Sequence, residues 1–447
     1  MALPSEAVVR YLQLLDNEIY RDLAWADEFQ ETMRRQGLVE AGRLAAPVLR
    51  PYILPKSQFV TLARVTERLS AIAEQIYIQA LHSGPLLSRL RLLPAERALA
   101  GLPSGYSRMS VAAHAEAHFH EDVLQVSGFR SAAAPSLAYV DTLSEIFAQL
   151  PILRDLQLSG FSLTPACSGS RLCHVVLKTW KEFGGRTNPN IAVLHCDGAT
   201  SNQPQLLAEL LSRCGADARP VCVENLEYSQ GRLRSRDFIV DVVFRDISIR
   251  ELLLQINLSH PLFDACRHGA VCTVNSFRSD IVNRRSFFAL LTDCQIVRNL
   301  AASDRKLIHE VVPWTRLVAA GKAEFHGESV DLLEFIRKHR EQFALWPNDE
   351  SAGLPSYNGS EMIPDAWDRA LEESLRSVYV VQEKRLTGCE SFPVYQYGSL
   401  EMQCADVAIH PHIFNGKVHS ASSVLARCRF GSRTPLAIAP IMLLDSF

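Results

Sequence analysis

The sequence predicts a protein that is α/β in its middle and α+β toward its end, behind a helical N-terminal region, and three patterns predict it. Apolar residues recur at three- and four-residue spacing through the first hundred positions. Short apolar runs then alternate with helical segments of about ten residues, the signature of strands joined by crossovers. The last third mixes two helical stretches with β-rich runs, which suits helices packed on an antiparallel sheet.

Taken in order, residues 8–16, 21–36 and 59–87 read as helices, and Pro47, Pro51 and Pro55 divide them into two groups. Gly101-Leu-Pro-Ser-Gly-Tyr106 is a loop, and a helix over 138–150 follows a mixed segment. Residues 191–196 form a buried-type strand ending in Asp197-Gly198, and the helix 205–213 stops at Gly215. Strands at 220–224, 238–244 and 270–275 complete a largely parallel sheet. A helix at 330–342, a strand at 343–345, a helix at 366–376 and a strand at 377–382 come next, then several short β-like pieces to Phe447. The expected division is 1–100 (helical), 101–270 (α/β) and 271–447 (mixed lobes), with no internal repeat or low-complexity tract.

Composition is that of a globular chain long enough for more than one core: 447 residues, 47% hydrophobic, 21% charged, formal net charge −3. The near-neutral balance excludes a dedicated nucleic-acid binder. The arginine clusters at 232–236 and at Arg284-Arg285 are short and read as solvated faces. No run approaches the roughly 18 apolar residues of a membrane span, and Met1-Ala-Leu-Pro-Ser-Glu-Ala7 lacks the build of a signal peptide. Eleven cysteines fall between Cys167 and Cys428 without CxxC spacing, and Cys167-x5-Cys173 fits no common zinc pattern. The expectation is reduced thiols in a cytoplasmic protein with no membrane partner.

The run Phe343-Ala-Leu-Trp-Pro-Asn-Asp-Glu-Ser-Ala-Gly-Leu-Pro355 has the outline of a nucleotide-cradling loop without its working parts. Trp346 stands where a phosphate would want a cation. Gly353 is its only glycine, and Pro355 removes an N–H donor.

A set of separate motifs carries a family resemblance. They are Val271-Cys-Thr-Val-Asn-Ser-Phe-Arg-Ser-Asp-Ile-Val-Asn-Arg-Arg-Ser-Phe-Phe-Ala-Leu-Leu-Thr-Asp293, with Val240-Asp-Val-Val-Phe-Arg245 before it and His309-Glu-Val-Val-Pro-Trp-Thr-Arg316 after it. Tyr379-Val-Val-Gln-Glu383 extends the series. From about residue 59 to its end the chain resembles the glutathionylspermidine-synthase-like bacterial branch of the ATP-grasp superfamily. The resemblance implies an ATP-grasp-like fold: a pre-ATP-grasp α/β domain, then two lobes that clamp ATP between antiparallel sheets. The implied chemistry is ATP-dependent ligation of a carboxylate to an amine through an acyl phosphate, with Mg²⁺ held by carboxylates.

Three regions depart from that pattern. Where the family has a Lys-Pro pair, this chain has Trp346-Pro347; Asn348-Asp349-Glu350 is retained, but the glycine pair is reduced to Ala352-Gly353. In Asp406-Val-Ala-Ile-His-Pro-His-Ile-Phe414, Ala408 and His410 replace the family's acids, and Arg427, Arg429 and Arg433 stand near its arginine-containing run. In the N-terminal half, Arg108-Met109-Ser110 keeps only the arginine, and Gly128-Phe-Arg-Ser-Ala-Ala-Ala134 has no carboxylate.

The candidate residues follow. Arg245, Asn275, Ser276 and Arg278 match family positions lining the cleft, though Asn275 equally suits a helix cap and Arg278 an ion pair. Asn348, Asp349, Gln382 and Glu383 are the implied nucleotide-binding set, with Trp346 in place of lysine; Gln382 and Glu383 equally suit a polar strand end. His410 and His412 are weak metal candidates against an exposed strand end. In His114-Ala-Glu-Ala-His118-Phe-His120 the i, i+4 histidines His114 and His118 would share a helical face, with Glu116 and Glu121 nearby, either as zinc ligands or as a solvated segment. His195 and Cys196 point to opposite strand faces, so Cys196 reads as structural.

Three functions remain open on sequence. The first is a degenerate, non-catalytic binding or regulatory partner of an active ATP-grasp paralogue, with a small molecule or peptide as further ligand. The second is an active ligase, with Lys384, Arg385, Arg427 and Arg429 on the phosphates and Asp349, Glu350 and Asp406 on the metal. ATP and Mg²⁺ are cofactors only if the site is rebuilt in this way. The third is a sensor that binds nucleotide or peptide without turnover.

Overall fold

A computed structural model describes residues 6–40, 42–131, 137–167, 169–196, 198, 201–384, 389–429 and 432–445. Asp197, residues 132–134 and Arg385 lie outside the described residues, as do the side chains of Arg429 and Arg433.

The N-terminal helices are Glu6–Leu15, Glu18–Arg21, Ala24–Arg35 and the long Lys56–Leu81. The last buries Leu62, Val65, Leu69, Ile72, Ala73, Ile76, Tyr77 and Ala80, the three- and four-residue stripe that the sequence showed. Ser83 separates it from the short helix Gly84–Arg89 by accepting the Leu86 N–H.

Between 190 and 274 the chain builds a parallel four-stranded sheet in the order Cys272–Val274, Val242–Phe244, Asn190–His195, Asp217–Cys222. Both faces are covered. Ile191, Val193 and Phe244 pack with Leu172, Val176 and Leu211 on one side. Ala192, Leu194 and Val243 pack with Leu252, Leu262 and Phe263 on the other. Double burial is why these strands read as continuous apolar runs. The expected strand over 238–244 is two strands. Phe238–Val240 pairs in a hairpin sheet and Val242–Phe244 in the parallel one. The break is Asp241, whose carboxylate accepts the Asn190 N–H at 2.9 Å.

A second, antiparallel sheet orders Thr315–Leu317, Tyr379–Glu383, Phe343–Pro347 and Tyr357–Asn358. Helices Leu332–Lys338 and Pro364–Arg376 share a core with one of its faces, through Ile336, Trp367, Leu371, Phe343, Leu345 and Val381. The helix expected at 330–342 is shorter because Asp331 caps it, accepting the Glu334 N–H, while Glu328–Asp331 forms a hairpin strand.

The largest sheet runs Tyr52–Pro55, Ser432–Leu444, Lys417–Arg429, Ser399–Phe414, Ala112–His120, Val123–Arg130. Cys389–Gln396 pairs with Ser399–Phe414 as well. The short β-like pieces expected after 382 are therefore long strands, one of 16 residues and two of 13. Pro411 lies within the 16-residue strand, and the ladder to Ala112–His120 skips it, passing from Ile409↔Ala117 to His412↔His114. The histidines expected on a helix lie on the strand Ala112–His120, where even-numbered positions share a face.

The expectation of reduced thiols is corrected at four positions. Cys173 is joined to Cys214 and Cys389 to Cys404, with Cα separations of 6.1 and 5.9 Å. Spacings of 41 and 15 residues carry no motif; the folded helices and strands bring the pairs together. Among the described residues, no helix is long and apolar enough to cross a membrane.

Candidate functional site

Trp346 sits toward the end of its strand, and the Arg285 guanidinium lies over its indole, 4.7 Å from the ring centroid. A cation thus reaches the place of the absent lysine from another element. Arg285 donates through Nε to Glu350 Oε1 at 2.6 Å and through Nη1 to the Ser127 carbonyl at 2.9 Å. Its Nη2 lies 3.2 Å from Glu116 Oε2. The reading of Arg284-Arg285 as a solvated face is corrected: they are 7% and 5% exposed. Buried guanidinium groups require such partners.

Arg284 holds Glu96 Oε1 and Asp349 Oδ2, each at 2.5 Å, and Arg250 stands 3.5 Å from the same Asp349 oxygen. Arg130 is paired with Glu350. Four arginines and four carboxylates therefore interleave from the helix Pro94–Ala100, the large sheet, the 284–285 turn, the helix Ile249–Gln255 and the 349–350 turn. Burial pushes the Asp349 carboxyl up, but Arg284, Ser351 and Arg250 outweigh it and hold the group below its ordinary range. Glu116 behaves alike: burial raises it, and Arg285, His118 and Arg130 bring it well below the usual value.

Asn348, expected to bind nucleotide, is occupied by the protein. Its Oδ1 accepts the Ser286 N–H at 2.8 Å, its carbonyl accepts the Arg285 N–H at 3.0 Å, and its Nδ2 donates to the Leu90 carbonyl. It organises the start of the helix Arg285–Leu291. Gln382 is 4% exposed and donates to Thr315 Oγ1 at 3.1 Å. Glu383 faces His326 Nε2 at 3.3 Å.

The four cleft candidates are gathered at the carboxyl end of the parallel sheet, where α/β sheets usually take ligands. Arg245 forms a bidentate pair with Asp280 at 2.9 and 2.7 Å and donates to the carbonyls of Asn275, Ser276 and Ile247. Asn275 Oδ1 accepts the N–H groups of Val111 and Ala112 at 2.7 and 3.1 Å, and its Nδ2 donates to the carbonyls of Ala112 and Ser131. Ser276 is 3% exposed, its N–H donating to Tyr106 Oη. Arg278 donates to the Leu102 carbonyl at 2.7 Å. Each of these bonds ties chain to chain.

The histidine strand is buried too. His114 and His118 are 2% and 6% exposed, which corrects the solvated reading. His410 lies within the strand Ser399–Phe414 rather than at an exposed end, its ring 4.9 Å from that of His114. Burial pushes His410 down to about 4 and His412 to about 3. Both ring nitrogens of His412 are engaged, with Ser420 Oγ at 2.8 Å and Ser422 Oγ at 3.0 Å, so it has no lone pair aimed at a metal. Among the described residues no group of three or more His, Cys, Asp or Glu is placed to hold a metal ion. Cys196 is half-buried, and burial pushes its thiol up.

Of the described residues enlisted for a relocated ligase site, Asp406 and Arg427 are neighbours on adjacent paired strands, while Lys384 stands apart from Asp349 and Glu350. Lys384 donates to Ser360 Oγ at 2.5 Å, beyond the Phe343 end of the pairing Phe343↔Glu383 to Pro347↔Tyr379. Asp349 and Glu350 lie beyond its other end. At about 3.3 Å per residue the two backbones stand on the order of 20 Å apart.

Beside Arg130 lies a small, partly open cleft lined by Ser70, Glu74, Arg108, Ser110, Phe129 and Arg130 among others. Arg108 Nη1 lies 3.6 Å from Glu74 Oε2. The sequence singled out the stretches holding Arg108, Ser110 and Arg130, but Glu74 belongs to a long amphipathic helix and gave no signal.

The fold has known counterparts. A glutathione synthetase-like effector from Globodera pallida, in its apo form, matches 97% of this chain and 98% of its own with a TM-score of 0.59 at 12% identity. A putative γ-glutamylcysteine synthetase from Methylobacillus flagellatus matches 87% of this chain and 89% of its own, with a TM-score of 0.44 at 11% identity. No family model and no curated protein matches. The chain thus has a glutathione-synthetase-like fold, in keeping with the expected ATP-grasp-like ligase architecture.

Proposed function

We propose that this chain is a degenerate member of the ATP-grasp-like ligases that works by binding, as a non-catalytic partner of an active carboxylate–amine ligase. The observation that carries this reading is the self-neutralised cluster under Trp346. Transfer of a phosphoryl group needs cations that meet phosphate oxygens and carboxylates that meet magnesium. Here Arg130, Arg284 and Arg285 already meet Glu350, Asp349, Glu96 and Glu116, and an indole fills the position of the lysine. These residues do not fit a nucleotide phosphate with its metal. Supporting the same reading, Lys384 and the Asp349-Glu350 pair lie at opposite ends of one strand pair.

The test is magnesium-dependent ADP release by the wild type and by Trp346→Lys, each supplied with amino-acid and polyamine pools. Neither protein should turn over, because a lysine beside Arg285 adds like charge without freeing a cation. Robust ADP release by the single variant, or by the wild type, overturns the proposal.

A further inference from the structure

The helix Gly169–Phe183 turns Leu172, Cys173, Val175, Val176 and Thr179 into the protein. Its opposite side carries Arg171, His174, Lys178 and Lys181, all exposed. At 3.6 residues per turn these four fall within about 80° of arc and span about 15 Å of the axis. Arg186 follows just past the helix and is exposed as well. Between 169 and 186 only Glu182 opposes Arg171, Lys178, Lys181 and Arg186, a surplus of three positive charges in a chain whose formal net charge is −3. We propose that this stripe is a docking surface for an acidic helical segment of a partner protein. It shares no residue with the cluster under Trp346, so it serves a catalytic and a non-catalytic chain alike.

Helix stability does not account for the pattern. Cations near a helix C-terminus complement the macrodipole, which suits Lys181, but Arg171 lies in the first turn, where the dipole repels a cation. Nor do the charges find partners within the chain. Lys178 reaches Glu182 only at 4.0 Å, and Arg171, Lys181 and Arg186 have no ion pair among the described residues. The positive potential also extends past the start of the helix. Burial lowers the pKa of His419 on the strand Lys417–Arg429, with Arg171 and Lys417 adding to the effect and Glu67 opposing it.

The stripe stands on a fixed support. At the start of the helix, Asp141 Oδ2 accepts the Gly169 N–H at 2.6 Å. On the buried side, the disulfide from Cys173 to Cys214 joins the helix to the chain just past the helix Gln203–Ser212. At the end, the Gly185 N–H donates to the Trp180 carbonyl at 2.9 Å and Trp180 Nε1 to the Thr187 carbonyl at 2.8 Å, which holds the turn that carries Arg186. A backbone already ordered loses little freedom when a partner docks.

Spacing and surroundings select the occupant. Steps of three and four residues set the side chains about 4.5 and 6 Å apart along the axis. Glutamates at the same steps on a second helix present carboxylates at the same intervals, so the two faces match charge for charge. An anionic membrane surface takes a helix by its apolar face as well as its cations, and here that face is packed in the core. A single-stranded nucleic acid needs exposed rings on which bases stack. Trp180 and Phe183 instead stack on each other, 6.0 Å between centroids, and are half-buried.

The experiment titrates the full chain, in low salt and without nucleotide, into a fluorescently labelled helical peptide with glutamates at three- and four-residue spacing along one face. The controls are an isomer with the same glutamates spread around the helix, a single-stranded RNA oligonucleotide, and vesicles of phosphatidylcholine with phosphatidylserine. Anisotropy should show the striped peptide bound about tenfold more tightly than its isomer, and the binding should weaken with added salt. Lys178→Glu should weaken it roughly fivefold or more, beyond the effect of one neutralised surface pair. Lys306→Glu, the same charge change on the helix Ala302–Val311, should leave it unchanged. Lys178→Gln repeats the readout should the reversal alter the circular dichroism spectrum. Equal binding of the two peptides, no binding at submillimolar peptide, or indifference to Lys178→Glu overturns the proposal. Tighter binding of the RNA or the vesicles than of the striped peptide overturns it too.

Discussion

Arg245 and Arg285 are both buried arginines paired with carboxylates, yet their surroundings differ in kind. Arg245 meets one acid, Asp280, and three main-chain carbonyls, all within the stretch 245–280. Arg285 meets Glu116 from one strand, Glu350 from a turn far along the chain, and the face of Trp346. The first arrangement fixes the crossover at the end of the parallel sheet and is architecture. The second gathers opposite charges from separate elements around a place where the ligase resemblance expects phosphate and metal. An arginine tied to its own segment leaves nothing for a ligand. An arginine shared among acids of other elements marks an opening that the protein has filled with its own charges.

The widest gap should appear on deleting one acid from each region. Asp280→Ala strands the Arg245 guanidinium and removes the acceptor of the Ile249 N–H, so chemical denaturation should report a loss of about 3–5 kcal/mol. Glu350→Gln leaves Arg285 with Glu116 and keeps a polar partner for Arg130, and should cost about 1–2 kcal/mol by the same measurement. Equal losses would erase the distinction between the two regions.

A smaller effect sharpens it from the pH side. His410 and His412 are held neutral, with folded pKa values of about 4 and about 3, below the ordinary histidine range near 6.5. Between those limits the unfolded chain binds more protons, so stability is complete above about pH 6.5 and falls as pH drops toward 4, by roughly 3 kcal/mol for His410. Thermal unfolding at pH 7 and pH 5 should show the drop, and His410→Gln should reduce it. A profile flat over that window would mean that Glu116, the carboxylate nearest in effect to His410, compensates the imidazole fully.

Much of the fold was legible because its signals are local. Periodicity located the helix Lys56–Leu81 and the parallel strands, and turn residues bounded them. The C-terminal strands were read as short pieces; they contain Pro393, Pro411, Pro435 and Pro440, and only the ladders to their neighbours show their full length. The site was legible in outline. Trp346, Asp349 and Glu350 were named for their loop, and they do belong to one charged cluster. Their partners Arg284, Arg285, Glu96 and Glu116 come from three distant stretches, and no spacing rule links them. Asn348 was read as ligand-facing and Asn275 as either cleft-lining or a helix cap, although the same amide groups serve equally to satisfy main-chain N–H and carbonyl groups.

The central claim, that the charges under Trp346 are committed to one another, is tested most directly by calorimetric titration of Mg·ATP into the purified chain. The account predicts no saturable heat at millimolar nucleotide. Tight binding that requires magnesium would contradict it, because phosphate and metal would then have displaced Glu350 and Asp349 from their arginines.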